Sequence, residues 1–182
     1  MPTLRLALTD YVGSAHWRWV LADDRGRYLA DHTVSLDPTC REYGGFLNLS
    51  GYLHYYQEAL PPAQQLATLG VWIGERIFGP LREALREHCS LPATAVHVVV
   101  PQAAQDLLFR PFELARLDAD TSFADVGVRF VYQLDGAPAL ARPKAPADKA
   151  LRVLAAFSLP ERVRPLNLRR ERHGLQKLVF SP

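Results

Sequence analysis

Three observations predict a mixed α+β fold, of the α/β class, for this chain of 182 residues. Apolar and polar residues alternate between Leu4 and Leu36, as they do in strands with one buried face. From Phe46 to Leu85 the apolar residues recur at helical spacing. Val96-His97-Val98-Val99-Val100 is then a short, β-branched run of the kind found in strands covered on both faces. The expected architecture is an N-terminal antiparallel hairpin unit, a helical pair, and the first strands of an incomplete α/β sheet.

Composition sets the outer limits. With 48% hydrophobic and 22% charged residues, the chain is that of an ordinary globular domain, which excludes collagen, a disordered polymer and a membrane bundle. A formal charge of +2 gives no field strong enough to point to nucleic acid or to a membrane surface. Cys40 and Cys89 are too few for a disulfide framework and lack CxxC spacing, so a reducing cytoplasm is the expected compartment. No targeting segment is read at Met1–Asp10, where polar and apolar residues alternate around Arg5. The stretch Ala59–Gly74 is interrupted by Pro61, Pro62, Gln64 and Gln65 and is shorter than the roughly 20 apolar residues that cross a bilayer.

Within the hairpin unit, Leu4, Leu6 and Leu8 share one parity, Trp17, Trp19 and Leu21 another run, and Tyr28, Ala30, His32, Val34 and Leu36 a third. Asp23-Asp24-Arg25-Gly26 between the last two is turn chemistry, with Gly26 free to take a positive φ. Asp37-Pro38 closes the unit, and Gly44-Gly45 is expected to be a flexible joint. A first helix then carries Phe46, Leu53, Tyr56 and Leu60. Pro61-Pro62 breaks it and starts a second helix, because a proline in the first turn loses no helical hydrogen bond. Leu66, Leu69, Ile73, Ile77, Leu81 and Leu85 form its apolar stripe, with a kink or split expected at Gly79-Pro80. Gln102–Leu117 reads as a loop or short helical turn and Val126–Tyr132 as an alternating strand.

Residues 1–136 therefore form a hairpin, helical-pair and strand unit. Residues 137–150, with Pro138, Pro143 and Pro146 among Ala and Lys, read as an extended connector. In residues 151–182, Leu151–Phe157 reads as a second buried strand, and a helix follows from about Leu166 with Asn167 as its cap. A strand, loop and helix open a βαβ unit, and one parallel strand completes no sheet, so the chain reads as the front of something longer.

Four stretches taken together resemble the amino-terminal region of bacterial CHAT-domain proteins: Arg18-Trp19-Val20-Leu21; Val98-Val99-Val100-Pro101; Leu107-Leu108-Phe109-Arg110-Pro111-Phe112-Glu113-Leu114; and Leu151-Arg152-Val153-Leu154 with Phe157-Ser158-Leu159-Pro160 leading to Leu166–Arg172. Arg110–Leu114 is similar to the family's Leu-Pro-Trp/Phe-Glu-Leu element. The resemblance implies that the final strands begin a caspase-like cysteine-peptidase sheet, often coupled to tetratricopeptide repeats. The family's His and Cys lie in Ser-Gly-His-Gly-like and Ala-Cys-like elements, and neither occurs here. No catalytic residue is carried over.

Other chemistry is weighed residue by residue. His88-Cys89 resembles a thiolate–imidazole pair, but neighbours at a helix end point apart, and a His bonding the terminal carbonyls is the preferred reading. Cys40 follows no strand-like run, and His97 reads as a satisfied core or edge histidine. Arg162, Arg164, Arg169, Arg170 and Arg172 read as a solvated helix face partly neutralised by Glu161 and Glu171. Gly70 and Gly74 mark close packing, and no phosphate loop, cofactor motif or metal-ligand set is found. Tyr43, Phe46, Tyr52, Tyr55 and Tyr56 divide between core and an interaction surface.

The expected function is thus the non-catalytic N-terminal region of a CHAT-like protein. It would support or regulate a caspase-like peptidase core and bind a protein partner or the remainder of its own chain, core or repeat domain. Alternatives are a free-standing interaction module and a cysteine hydrolase using Cys89 or Cys40. Self-association stays open, because an unfinished sheet edge is a natural place for pairing.

Overall fold

The alternating runs of the first 36 residues form three strands, β1 Thr3–Gly13, β2 His16–Ala22 and β3 Tyr28–Ser35. They belong to a computed structural model that describes residues 3–55, 60–89 and 93–136, all within the unit Met1–Ala139. The β2–β3 turn is built as its residues predict. Asp23 accepts hydrogen bonds from the amides of Arg25 and Arg27 at 3.0 and 2.8 Å, and Gly26 takes a φ of 77°. Between β1 and β2 the register shifts from Thr9 to Gly13, and Asp10 takes a φ of 51° in that bulge, a conformation Asp tolerates better than most side chains.

The helical region is more finely divided than its periodicity suggests. Gly44 and Gly45 are not a joint: they lie within α1, Arg41–Leu47. Gly45 is there because the ring of Tyr52 would stand 2.9 Å from a Cβ. The first helix is also two, since Asn48 leaves the helical region and its side chain accepts the Gly51 amide at 2.9 Å. That local bond competes with a continuous helix and starts α2, Leu49–Tyr55. Pro61-Pro62 then opens α3, Pro62–Trp72. A wider π turn follows over Ile73–Phe78, with the Gly79 amide on the Gly74 carbonyl at 2.9 Å. The expected split at Gly79-Pro80 is present, and α4 runs over Leu81–His88.

Beyond α4 come β4, Thr94–Val100, three short 3₁₀ turns over Gln102–Phe109, Phe112–Leu114 and Ala124–Val126, and β5, Val128–Leu134. All five strands join in one mixed sheet of order β3-β2-β1-β4-β5. β1, β2 and β3 pair antiparallel, whereas β1–β4 and β4–β5 are parallel. This is the mixed α+β architecture that the sequence predicts. β4 pairs directly with β1, so the hairpin strands and the parallel strands share one ladder. The strand expected at Leu151–Phe157, the helix from Leu166 and the connector 137–150 lie outside the described residues.

The helices pack on the sheet face that carries Leu4, Leu6, Leu8, Trp17, Trp19, Leu21, Val96 and Val98, each at most 5% exposed. The second-helix stripe completes this core, with Leu69, Ile73, Ile77, Leu81 and Leu85 all at 0%. Phe112 sits at the middle of an aromatic cluster, its ring centroid 5.8 Å from Trp19, 5.6 Å from Phe46, 6.1 Å from Phe78 and 6.4 Å from Tyr132. Edge-to-face, tilted and stacked pairs of this kind add to the burial itself. Within Leu107–Leu114, Leu107 and Phe112 are buried in this core, whereas Phe109, 85% exposed, and Glu113 face outward.

Candidate functional site

The two thiols are the first groups to place. Cys89 caps α4, is 8% exposed, and burial pushes its thiol up to about 11. His88 turns the other way: its Nδ1 lies 2.8 Å from the Ala84 carbonyl oxygen, as a helix-end histidine does. A protonated, enclosed sulfur with no imidazole on it is a poor nucleophile. Cys40 caps α1, its Sγ accepting the Tyr43 amide at 3.4 Å and donating to Glu42 at 3.5 Å. Neither cysteine is brought to a histidine in the described hydrogen bonds, and both are free thiols.

The aromatic set resolves mostly into core. Tyr43, Phe46 and Tyr52 are buried, Tyr55 is 79% exposed, and Tyr56 is outside the described residues. Tyr43 bonds Ser14 at 2.8 Å, and Arg41 donates to the Tyr52 hydroxyl at 3.1 Å with its guanidinium 5.4 Å from the ring centre. Gly70 and Gly74 serve close packing, though against an extended segment and not a helix. A Cβ on either would overlap a carbonyl oxygen, that of Leu114 or Arg116 respectively. The arginine group from Arg162 to Arg172 is outside the described residues.

His97 marks the most distinctive surface. Strand pairing fixes which side chains stand beside one another on the sheet face away from the helices. One row across it is Ala22, Arg5, His97 and Val131, and the next is Asp31, Val20, Ala7, Val99 and Gln133. Arg129 joins Ala95 and Thr3 in a third row. Among the described residues no helix lies on this face, and Arg5, Arg129, Val131 and Gln133 are exposed. A trough of about 590 Å³ runs over it between the Asp23–Gly26 turn and Asp135, with Arg5, His97, Val99 and Gln133 along it.

Fixed charge rims the antiparallel side. Arg18 holds Asp31 at 2.9 Å, and Tyr28 donates its hydroxyl to the same carboxylate. The Tyr28 bond first, then Arg18, keeps the Asp31 carboxyl below the usual range, so this corner stays ionised at neutral pH. Arg5 and His97 pair across the strands beside Ala7, Ala95 and Val131, with Asp23, Asp24 and Asp135 along the same trough, a mixture of charge and apolar surface suited to another protein.

The alternation around Arg5 is visible in sequence and shows that it faces away from the core, whereas His97 sits in an apolar run that reads as covered on both faces, and its side follows only from the strand pairing. Their adjacency is not visible, because it depends on a parallel register between residues about ninety positions apart. Among the described residues no three His, Cys, Asp or Glu side chains converge in a way that could hold a metal ion, and no helix is long and apolar enough to cross a membrane. Compared with known proteins, the chain matches no protein-family model and no curated protein.

Proposed function

We propose that this chain is a non-catalytic protein-binding unit, whose sheet face opposite the described helices receives a layer from a partner in a reducing, cytoplasmic setting. The observation that carries this reading is the face itself. Parallel sheets are stable when covered on both sides, yet β1, β4 and β5 are covered on one side only by the described helices, and the other presents Ala7, Ala95 and Val131 beside Arg5 and His97. The resemblance to CHAT-domain proteins would make the partner a caspase-like core or a repeat domain, with the unit supporting or regulating it.

A photo-crosslinking residue placed at His97 in the native host tests the proposal. A discrete protein adduct is expected, lost when Ala95→Glu puts a charge on the same face while the fold is retained. Hydrolytic activity of the purified chain that disappears in Cys89→Ser or Cys40→Ser would replace this reading with an enzyme.

A further inference from the structure

We propose that the outer edge of β5 pairs with the same edge of a second copy, antiparallel and centred on Val131. The direction of the backbone groups on β5 makes the case. The Gly127 carbonyl accepts the Thr94 amide at 2.7 Å, and the Asp135 amide donates to the Val100 carbonyl at 2.7 Å. Both bonds point to β4. A strand's residues alternate the side to which their backbone groups point, so Arg129, Val131 and Gln133 also face β4. Val128, Phe130, Tyr132 and Leu134 face outward, and the Val128 amide does so, donating to Phe123 at 3.0 Å. Among the described residues no strand meets the outward groups of Phe130, Tyr132 and Leu134.

The two edges of the sheet are not alike. β3 has the devices that discourage pairing: the charged Asp31, and a register shift against β2 at Leu21/Ala22. β5 reads Val-Arg-Phe-Val-Tyr-Gln-Leu, regular over 7 residues, with Arg129 its one charge and no proline or bulge. Such an edge is a template for another strand. A two-fold partner requires that the edge complement itself, and this sequence does. When Val131 faces Val131, Phe130 faces Tyr132, Arg129 faces Gln133, and Val128 faces Leu134. That register pairs the outer edge through Phe130 and Tyr132, leaves the Val128 amide on Phe123, and keeps the two Arg129 side chains apart. It also sets each outward backbone pair, Phe130 with Tyr132, in the mutually hydrogen-bonded position. The aromatic row already running through Phe78, Phe130 and Tyr132, with centroids 5.6 and 6.4 Å apart, would continue across the junction.

Sedimentation equilibrium of the full chain tests the proposal, up to about 100 µM because dimer stability depends on concentration. A monomer–dimer equilibrium is expected. Val131 is 41% exposed, so Val131→Lys should keep the far-UV circular dichroism of the parent while placing like charges opposite each other at the centre. The dissociation constant should rise at least tenfold. Val131→Cys, in a Cys40→Ser background, should be trapped by mild oxidation as a reducible dimer, and Arg129→Cys should not. A chain that stays monomeric throughout, or a dimer that tolerates Val131→Lys and is trapped equally through Arg129→Cys, would overturn it.

Discussion

The amide of Arg116 donates to the carbonyl of Gly70 at 3.0 Å. This bond ties the extended segment after Phe112 directly to the backbone of α3. It is possible because Gly70 and Gly74 carry no side chain on that side, and so the 114–116 backbone reaches the helix surface. Through it the aromatic cluster around Phe112 is held from two directions, by the sheet and by the helix.

Gly74→Ala tests this contact. The added methyl group would meet the Arg116 carbonyl, part of the backbone and unable to rotate away. A loss of about 3 kcal/mol in a urea melt is expected, at the upper end of overpacking costs. Gly44→Ala should do the opposite. Nothing lies within 4 Å of that Cβ and the residue is helical, so the gain should be about 0.5–1 kcal/mol.

Phe112→Ala should cost about 3–5 kcal/mol, because a ring that is 1% exposed leaves a cavity among four other aromatic side chains. Its unfolding midpoint, measured under the same conditions, checks this. A midpoint unchanged from the parent would remove Phe112 from the core.

Thiol titration separates the two cysteines. In native buffer a disulfide reagent should react with Cys40, which is partly exposed, and leave Cys89 untouched, since a thiol raised to about 11 and enclosed offers almost no accessible thiolate. In Cys40→Ser the native protein should therefore consume no reagent within minutes, and the guanidinium-unfolded protein should consume one equivalent.

Acid should weaken the fold through its turn carboxylates. Hydrogen bonds from the Arg27 amide to Asp23, from the Thr121 amide to Asp118 and from the Ser122 amide to Asp125 hold all three below the usual carboxylate range. The unfolded chain then binds protons more readily than the folded one. The contribution is present in full above about pH 4 and is lost as pH falls through the lowered folded values. Urea midpoints measured from pH 6 to pH 2.5 should fall only on the acid side, and Asp125→Asn should reduce that fall.

Much of this architecture can be read from residue order. Trp17-Arg18-Trp19-Val20-Leu21 declares its strand and its buried face, and Pro61-Pro62 and Gly79-Pro80 declare their breaks, because these signals are local. Gly44-Gly45 misleads for the opposite reason. A glycine pair reads as a joint unless one knows that the Tyr52 ring occupies the space above Gly45. Asn48 also divides a periodic helix by a bond only three residues long in sequence, which periodicity averages away. The site is less legible than the fold. His88 at its helix end follows from local geometry, but the grouping of Arg5 with His97 rests on a long-range register.

That register also governs how the protein is made. β1 lies between β2 and β4, and Thr3 pairs with Ala95, Leu6 with Val98. At bacterial and eukaryotic synthesis rates, roughly 5–20 s separate the emergence of these partners from the ribosome. The hairpins of β1, β2 and β3 can close at once, since their contacts are local, but the inner edge of β1 then waits with Leu4, Leu6 and Leu8 unshielded. A nascent chain arrested anywhere before Val100 should thus be a substrate for holdase chaperones, and release from them should track the arrival of β4.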